Sequence, residues 1–245
     1  MIQRAAKGDS LMSDDMFNTR RLRDPAKSDL QHLLDGVEQF SDEVFPATQA
    51  LFESLAQGQA PHTLFITCAD SRVSPEMITQ THPGELFVCR NIGNIVPAYG
   101  EMLGGVSAVV EYAVLALNVR QIVVCGHSDC GAMRGLAGTA PMTAEDMPTV
   151  NAWLRNAETA RSVVQARKVD SDHLVQALVE ENIRLQLMHL RTHPSVAGRL
   201  AQKRLDLQGW VYDIGHGRIS VFNEDDDSFE SLGEARTRIQ REQGG

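Results

Sequence analysis

The sequence lacks any apolar stretch long enough to cross a membrane. The longest candidate, residues 106–117, carries Glu111 and falls short of the roughly 20 residues that a membrane helix requires. Near the first residue, no continuous apolar block precedes a small-residue cleavage site, so secretion is not expected. We therefore expect a cytoplasmic protein that does not insert into membranes.

Basic residues are also in short supply. The 245-residue chain has 23 Lys and Arg against 32 Asp and Glu, which gives a formal net charge of −9. Nucleic acids and anionic lipid surfaces bind excess positive charge, so neither is an expected partner. Because an acidic protein offers no long-range attraction to anions, a small neutral ligand fits this chain better.

Cysteine is scarce as well, and the four present are Cys68, Cys89, Cys125 and Cys130. Four cysteines can pair in three ways, so the sequence alone does not exclude disulfides. In a large chain of intracellular character, burial or metal binding is the more common use of cysteine. We expect Cys89 and Cys125, which lie in strand-like runs, to be buried and to have no chemical role.

What the sequence does contain is an alternation of short apolar runs and helical patterns. It comprises strand-like residues 63–67, 85–89 and 121–125 and helical residues 75–81 and 106–117. Alternating strands and helices predict βαβ units, and continuous apolar runs predict strands covered on both faces of a parallel sheet. The helix over 106–117 is apolar on nearly every side and should be buried.

The second half of the chain is predicted to complete this architecture. Residues 148–203 have mostly helical patterns with a break near Asp170, and residues 207–214 and 218–222 suit a hairpin. The predicted fold class is therefore α/β, with a central, mostly parallel β-sheet flanked by helices. An N-terminal helical arm precedes the sheet, and the C-terminal hairpin extends it.

We expect one domain, preceded by a flexible extension. The predicted segments are an extension (1–27) and a single domain (28–245) made of a helical arm (28–57), an α/β core (58–222) and a polar, solvated tail (223–245). In the arm, Asp29 could cap the first helical piece and Pro46 marks the join to the second. The arm could pack on its own core or cross to another subunit.

Two predicted strands end next to residues that bind transition metals. Cys68 ends the first run and His127 lies just past the third, and sites in α/β sheets form at such carboxyl ends. The three-residue spacing of His127 and Cys130 predicts a shared face of a helical turn, with Cys130 near a helix N-terminus. Two thiolates and an imidazole suit Zn²⁺, and three ligands leave a fourth position open. The alternative is two buried cysteines and a hydrogen-bonded core histidine.

Asp70 and Arg72 follow Cys68 closely. A carboxylate at this position could accept a hydrogen bond from a metal-bound water, and an Arg could keep it ionised through a bidentate ion pair. Asp70 could instead occupy the fourth metal position itself. Without a metal, the two residues would form an ordinary ion pair that stabilises a turn.

Three motifs resemble those of the β-class carbonic anhydrases, namely C-A-D-S-R at 68–72, F-V-C-R-N-I-G-N at 87–94 and C-G-H-S-D-C-G-A at 125–132. The resemblance covers about residues 28–222, includes G-W-V-Y-D at 209–213, and is nearer to bacterial and cyanobacterial members than to plant chloroplast enzymes. It implies reversible hydration of carbon dioxide to bicarbonate and a proton, by attack of a zinc-bound hydroxide. It also implies a homodimer or a homotetramer.

Carried over by position, the resemblance assigns the site residues. It implies one Zn²⁺ per subunit on Cys68, His127 and Cys130, a catalytic pair of Asp70 and Arg72, and substrate contacts by Gln59, Phe87, Ile92, Tyr112 and Gly131. The Gln59 amide and the Gly131 N–H would face the substrate, and the other three would line an apolar pocket, partly across a dimer interface. On residue type alone, Gln59 would be a surface residue, and the pocket residues would be ordinary core.

The chain departs from some family members at a second, regulatory bicarbonate site built from Trp, Arg and Tyr. Phe65 stands at the Trp position, whereas Arg90 and Tyr212 match the other two. In those members, bicarbonate bound at the regulatory site switches the enzyme off. Because this chain lacks the indole donor, we expect its zinc site to stay open. For proton export, Tyr112 and His82 are candidates by residue type only. The remaining histidines are expected at the surface: His32, His62, His173, His189, His193 and His216.

Two other functions stay open at this point. The same zinc site could hydrolyse carbonyl sulfide or carbon disulfide, which are also small linear molecules, and the choice depends on pocket width. A non-catalytic zinc scaffold is the other alternative. The Asp70–Arg72 pair and Gln59 argue against a scaffold, because such a protein does not need a carboxylate beside an open metal position.

Overall fold

The computed structural model describes residues 24–100, 104–140 and 142–243. The predicted flexible extension lies outside these residues except for its last four. The chain separates into two compact units, one ending at Gly58 and the other beginning at Gln59. None of the helices in the described ranges combines the length and the apolar character needed to span a bilayer.

The first unit contains the two predicted helical pieces, α1 (Asp29–Gln39) and α2 (Phe45–Leu55). The N-cap of α1 is Ser28 rather than the predicted Asp29, because the Ser28 hydroxyl accepts from the Gln31 N–H and the Gln31 side chain accepts from the Ser28 N–H. A π-helical turn, Phe40–Val44, joins the helices. Pro46 lies in the first turn of α2, where its missing N–H costs little.

The second unit is built on a sheet that, within the described residues, has six strands. They are β1 (Thr63–Cys68), β2 (Leu86–Asn91), β3 (Gln121–His127), β4 (Asp206–Asp213), β5 (Arg218–Asn223) and β6 (Ser228–Ser231). The strand order is β2-β1-β3-β4-β5-β6; the first four are parallel and the last two join antiparallel. This arrangement confirms the predicted α/β class, the mostly parallel sheet and the hairpin.

The chain beyond the hairpin corrects one expectation. The acidic residues after Asn223 form an exposed turn, but the chain then returns as β6 and ends in α10 (Leu232–Gln243) instead of continuing as a solvated tail. Phe229 of β6 packs on Phe222, with ring centroids 5.3 Å apart, and Ala235 of α10 is buried. Few apolar residues in a very polar sequence are therefore enough to hold this segment on the sheet.

Helices cover the sheet as predicted. They are α3 (Pro75–Thr79), α4 (Gly105–Glu111), α5 (Gly131–Ala137), α6 (Pro148–Leu154), α7 (Glu158–Ala166), α8 (Leu174–Thr192) and α9 (Pro194–Ala201). The predicted break near Asp170 is a 3₁₀ turn at Ser171–His173. Helix α8 lies close to β3 and β4 because both strands carry glycine there. A Cβ on Gly126 would lie 2.9 Å from Val179, and one on Gly209 would lie 2.6 Å from Ile183.

The predicted buried helix over 106–117 is only half buried. It comprises α4 and a π-helical turn, Tyr112–Ala116. Val110 and Val114 are fully buried, whereas the side chains of Tyr112 and Leu115 are 51% and 53% exposed. The apolar pattern correctly identified a buried face, but the opposite apolar face is left exposed by the residues that the structure describes.

Candidate metal centre

The metal-ligand cluster, which we define as Cys68, His127 and Cys130, lies at the carboxyl edge of the sheet. Strands β1 and β3 are parallel neighbours, and their last residues are Cys68 and His127. The connections from β1 lead first outward to β2 and then back across to β3, so the strand order reverses between β1 and β3. Crevices at such reversals are the usual binding positions in open α/β sheets.

Cys130 reaches the same place through a tight turn. It is the N-cap of α5, as the sequence predicted, but His127 and Cys130 do not share a helical turn. His127 is still in the strand, and Asp129 has a left-handed backbone with φ of 57°. Ser128 fixes the turn, because its N–H donates to the Tyr212 carbonyl and its hydroxyl accepts from the Ile214 N–H.

The donor atoms of the cluster converge in a buried position. The two sulfurs and the imidazole nitrogen all lie within 4.8 Å of one another, and Cys68, His127 and Cys130 are 5%, 0% and 1% exposed. The His127 Nδ1 is 2.9 Å from the Ser128 carbonyl, which holds the hydrogen on Nδ1 and leaves Nε2 with a lone pair. Nε2 is buried and has no hydrogen-bond partner among the described residues. An orphaned acceptor beside two sulfurs fits a thiophilic metal ion.

A hydrogen bond between the two thiols of the cluster shifts their pKa values in opposite directions. A hydrogen bond with Cys130 lowers the pKa of Cys68 to about 4, although burial opposes this ionisation. The same hydrogen bond, together with burial, raises the pKa of Cys130 well above its usual range. Cys68 is therefore the more acidic thiol of the two, and a bound divalent cation would favour the thiolate form of both because thiolates are the metal-binding form.

Asp70 and Arg72 form the predicted bidentate ion pair beside the cluster. Arg72 donates from Nε to Asp70 Oδ1 at 2.9 Å and from Nη2 to Oδ2 at 2.8 Å, and its backbone N–H also donates to Oδ1 at 3.0 Å. These hydrogen bonds hold the pKa of Asp70 well below its usual range, so the carboxylate stays ionised. Asp70 Oδ2 lies 3.8 Å from His127 Nε2. The carboxylate thus faces the cluster while both of its oxygens accept from Arg72.

Two of the residues compared with the regulatory bicarbonate site, Phe65 and Arg90, make other contacts in this structure. Phe65 is buried on β1 and packs edge-on against Trp210, with centroids 5.9 Å apart. The Arg90 guanidinium donates to the backbone carbonyls of Cys68 and Asp70, at 3.2 Å and 2.5 Å. Arg90 therefore holds the loop that carries Cys68 and Asp70.

Three of the predicted substrate-contacting residues are apolar, Phe87, Ile92 and Tyr112, and we call them together the apolar wall; Phe87 and Tyr112 are in contact with each other. The rings of Phe87 and Tyr112 stack with centroids 5.9 Å apart. Ile92 follows β2 directly, and its carbonyl accepts from the indole N–H of Trp153 at 2.8 Å. Ile92 and Tyr112 are 42% and 51% exposed, so the wall is open in the single chain. Gly131 begins α5 beside Cys130, and a Cβ there would meet nothing within 4 Å.

Gln59, predicted to contact the substrate, and His82, a candidate for proton export, lie at the amino edge of the sheet, opposite to the edge that carries the metal-ligand cluster. Gln59 is exposed and lies four residues before β1, whereas Cys68 ends that strand. His82 is exposed and lies just before β2. In parallel strands these positions are at the amino edge, so one chain does not bring either residue to the metal-ligand cluster.

The other cysteines and histidines differ partly from expectation. Burial raises the pKa of Cys125 to about 12 and also raises that of Cys89, in agreement with inert buried thiols. His193, predicted at the surface, is 2% exposed, and its Nε2 lies 3.0 Å from the Pro97 carbonyl. It lies at the junction of α8 and α9, where the buried loop carbonyl of Pro97 needs a partner.

Sequence reasoning missed the residues that hold the loop after β2. Asn182 and Gln186 of α8 are buried, and Asn182 donates to the Gly93 carbonyl while Gln186 accepts from the Val96 N–H. Gln186 also donates to Asn182, which satisfies both amides. Their four-residue spacing on a largely apolar helix was the only signal, and it did not indicate a loop about ninety positions away.

The fold and the site define an α/β protein with a candidate three-ligand metal centre beside a carboxylate–guanidinium pair. The sequence model of the family described as carbonic anhydrase matches residues 63–219. A carbonic anhydrase of Pseudomonas aeruginosa is 52% identical over 206 residues, which cover 84% of this chain and 93% of the relative. Carbonic anhydrase 1 of Escherichia coli O157:H7 is 52% identical over 79% of this chain and 88% of the relative.

Solved structures give the same assignment. The β-carbonic anhydrase CcaA superposes with a TM-score of 0.80 at 42% identity and covers 83% of this chain and 100% of its own. One of two tetrameric β-carbonic anhydrases from Sordaria macrospora superposes with a TM-score of 0.71 at 30% identity, covering 79% and 96%. The chain belongs to the β-class carbonic anhydrase family, and it is an enzyme of that class.

Proposed function

We propose that this protein reversibly hydrates carbon dioxide to bicarbonate and a proton, using one Zn²⁺ per subunit on Cys68, His127 and Cys130. The observation that carries the proposal is the orphaned, buried Nε2 of His127 between two thiols, with an ionised carboxylate 3.8 Å away. Two sulfurs and one imidazole favour zinc over calcium, magnesium or manganese. When bound, zinc supplies a water that is acidic enough to serve as a nucleophile near neutral pH.

Asp70 would orient the nucleophile. As an anion it would not make the water more acidic by charge alone, so we assign it the role of accepting a hydrogen bond and aiming a lone pair at carbon dioxide. Arg72 balances its charge and occupies both carboxylate oxygens. This engagement supports an open fourth metal position. A closed state, with Asp70 as fourth ligand, would require Arg72 to release at least one oxygen.

The apolar wall suits a substrate without strong hydrogen-bonding groups. Carbon dioxide would lie against Phe87, Ile92 and Tyr112, while donors are needed only for the oxygen that becomes negative as bicarbonate forms. We assign those donors to the Gln59 amide and the Gly131 N–H. Because Gln59 lies at the amino edge of its own sheet, it would have to come from a second copy of the chain.

We further propose that the protein is a homodimer or a homotetramer. The exposed apolar side chains of Ile92, Tyr112 and Leu115 support an interface at the open side of the wall. The tetrameric description of the Sordaria enzymes is consistent with this proposal. The cytoplasm is the proposed compartment, since all four cysteines are free and two of them must stay reduced to bind metal.

A stopped-flow experiment on zinc-loaded protein tests the proposal. Carbon dioxide hydration should far exceed the buffer rate, and carbonyl sulfide should be turned over much more slowly and compete only weakly. Preferred turnover of carbonyl sulfide or carbon disulfide would reassign the substrate. Bound zinc without turnover of any of these molecules would instead identify a zinc scaffold.

A further inference from the structure

A row of alternating charges runs outward from the metal-ligand cluster. It consists of Asp70, Arg72, Asp129 and Arg134, whose formal charges sum to zero. Asp70 and Arg72 belong to the loop after β1, whereas Asp129 and Arg134 belong to the turn and helix after β3. The row therefore ties together the two loops that supply the metal ligands.

The ion pairs at the two ends of the row are shorter than the ion pair between Arg72 and Asp129 in its middle. Arg72 contacts Asp70 at 2.8 Å and 2.9 Å. On its other side, Arg72 Nη1 is 3.5 Å from Asp129 Oδ2, and Nη2 is 3.4 Å from the Asp129 carbonyl. Asp129 Oδ1 forms a close ion pair with Arg134 Nη2. Asp129 thus pairs closely with Arg134, and it contacts Arg72 only at longer distances, in addition to the contacts of Arg72 with Asp70.

We propose that Asp129 is a positioning residue that holds the outer edge of the Arg72 guanidinium, and that Arg134 restrains Asp129 so that it does not compete with Asp70. This inference rests on the proposed function for its meaning in catalysis. A carboxylate that approached Arg72 more closely would draw it away from Asp70, because one guanidinium would then serve two anions. With Arg134 in place, Arg72 keeps its bidentate face on Asp70.

Stability alone does not explain the row. Arg72, Asp129 and Arg134 are 44%, 48% and 52% exposed at their side chains, and exposed ion pairs contribute little to folding. Local conformation explains an Asp at position 129, since its φ of 57° favours Asp or Asn. It does not explain the ion pairs to two arginines from different segments. Asp129→Asn separates the two roles, because Asn tolerates the same backbone but carries no charge.

The chain offers a matched control for this change. Asp227 also has a left-handed backbone, with φ of 48°, and it accepts from Arg184 Nε at 2.7 Å. It lies in the turn between β5 and β6, away from the metal-ligand cluster. Asp227→Asn therefore removes the same charge from the same conformation and should leave activity unchanged.

The test measures carbon dioxide hydration and the state of Arg72 in zinc-loaded variants. For Asp129→Asn we expect kcat to fall about five- to tenfold while KM and zinc content stay within about twofold, because orientation is lost but binding is not. In ¹⁵N NMR, the Arg72 Nε–H signal, assigned by its loss in Arg72→Lys, should broaden through faster exchange. Arg134→Gln should reduce kcat at least as much, and Arg134→Lys should retain most of it.

A double variant tests the proposed order of action. If Arg134 works only through Asp129, the double variant Asp129→Asn/Arg134→Gln should match Asp129→Asn alone. Unchanged kcat and an unchanged Arg72 signal in Asp129→Asn, or additive losses in the double variant, would overturn the inference. Failure of the wild-type protein to hydrate carbon dioxide would instead overturn the proposed function. The Arg72 signal would still decide whether Asp129 orients Arg72.

Discussion

The metal-ligand cluster and the apolar wall differ in how far a single chain encloses them. The three cluster residues are at most 5% exposed, and their donor atoms converge without help from another molecule. In the wall, Ile92 and Tyr112 are 42% and 51% exposed. The folding of one chain is therefore sufficient to bring the metal-ligand cluster together, whereas the proposed substrate pocket would be closed by a second copy of the chain.

The cause of this difference lies in where each set of residues sits. Cys68 and His127 end adjacent parallel strands, so the sheet register alone brings them together. Ile92 and Tyr112 follow β2 and α4, at the side of the sheet where the described chain adds no further strand. Three predictions test this proposed division between a self-contained metal site and a shared pocket, and a fourth tests the packing of the loop after β2.

The largest effect should come from the cluster itself. Cys68→Ser removes a thiolate ligand, so bound zinc should fall below about a tenth of one ion per chain and activity should become undetectable. Metal analysis of the purified protein measures this directly. Cys125→Ala is the matched control, since Cys125 is equally buried but has no role at the site. Full zinc in Cys68→Ser would show that the cluster is not the metal site.

The next effect should separate metal binding from catalysis. Asp70→Asn should keep its zinc and lose about a hundredfold or more in kcat, because the neutral amide accepts a hydrogen bond less strongly and no longer binds Arg72 as an ion pair. Stopped-flow rates and metal content measured on the same preparation are needed. Near-normal turnover in this variant would remove the orienting role assigned to Asp70.

A charge on the exposed apolar face at Leu115 should disrupt the proposed pocket without loss of metal binding. If the proposed oligomer is formed through this face, Leu115→Asp should dissociate it and lower activity several-fold with zinc retained, because a carboxylate is not tolerated in an apolar interface. Light scattering gives the mass. Met188→Asp serves as the control, since Met188 is 63% exposed on α8. An unchanged mass and rate for Leu115→Asp would mean that this face is free and the pocket belongs to one chain.

The smallest effect should be on stability. Gly93 has φ of 77°, and a Cβ there would lie 2.9 Å from the Ala132 Cβ, so Gly93→Ala should cost about 1–3 kcal/mol and lower the melting temperature by several degrees. Gly36→Ala, within α1 and with nothing near its Cβ, should be neutral or slightly stabilising. Equal melting temperatures for the wild type and Gly93→Ala would contradict the tight packing of this loop on α5.

The sequence predicted the residues whose position follows from the strand pattern. Cys68 and His127 end buried apolar runs, and parallel pairing then makes their proximity a geometric consequence. Asp70 and Arg72 are close in sequence, so their ion pair could also be predicted from the sequence. The prediction that His127 and Cys130 share a helical turn was wrong, because His127 still belongs to β3 and the left-handed backbone of Asp129 separates it from α5.

What the sequence could not predict depends on long-range packing. The exposed apolar face at Leu115 resembles a buried helix, because residues that cover an interface and residues that form a core share the same composition. The Asn182 and Gln186 contacts to the loop after β2 cross about ninety positions. The strand and helix after Asn223 depend on a few apolar contacts. The polar composition of this segment instead predicts a solvated tail.

The central claim is that this chain forms a zinc-dependent carbon dioxide hydratase at Cys68, His127 and Cys130. The most direct test follows hydration during removal of the metal and its return. We predict one zinc per chain in the purified protein, loss of the rate when a chelator strips the zinc, and recovery in proportion to the zinc restored. A rate that survives complete loss of zinc, or zinc-replete protein that does not accelerate hydration, would contradict the account.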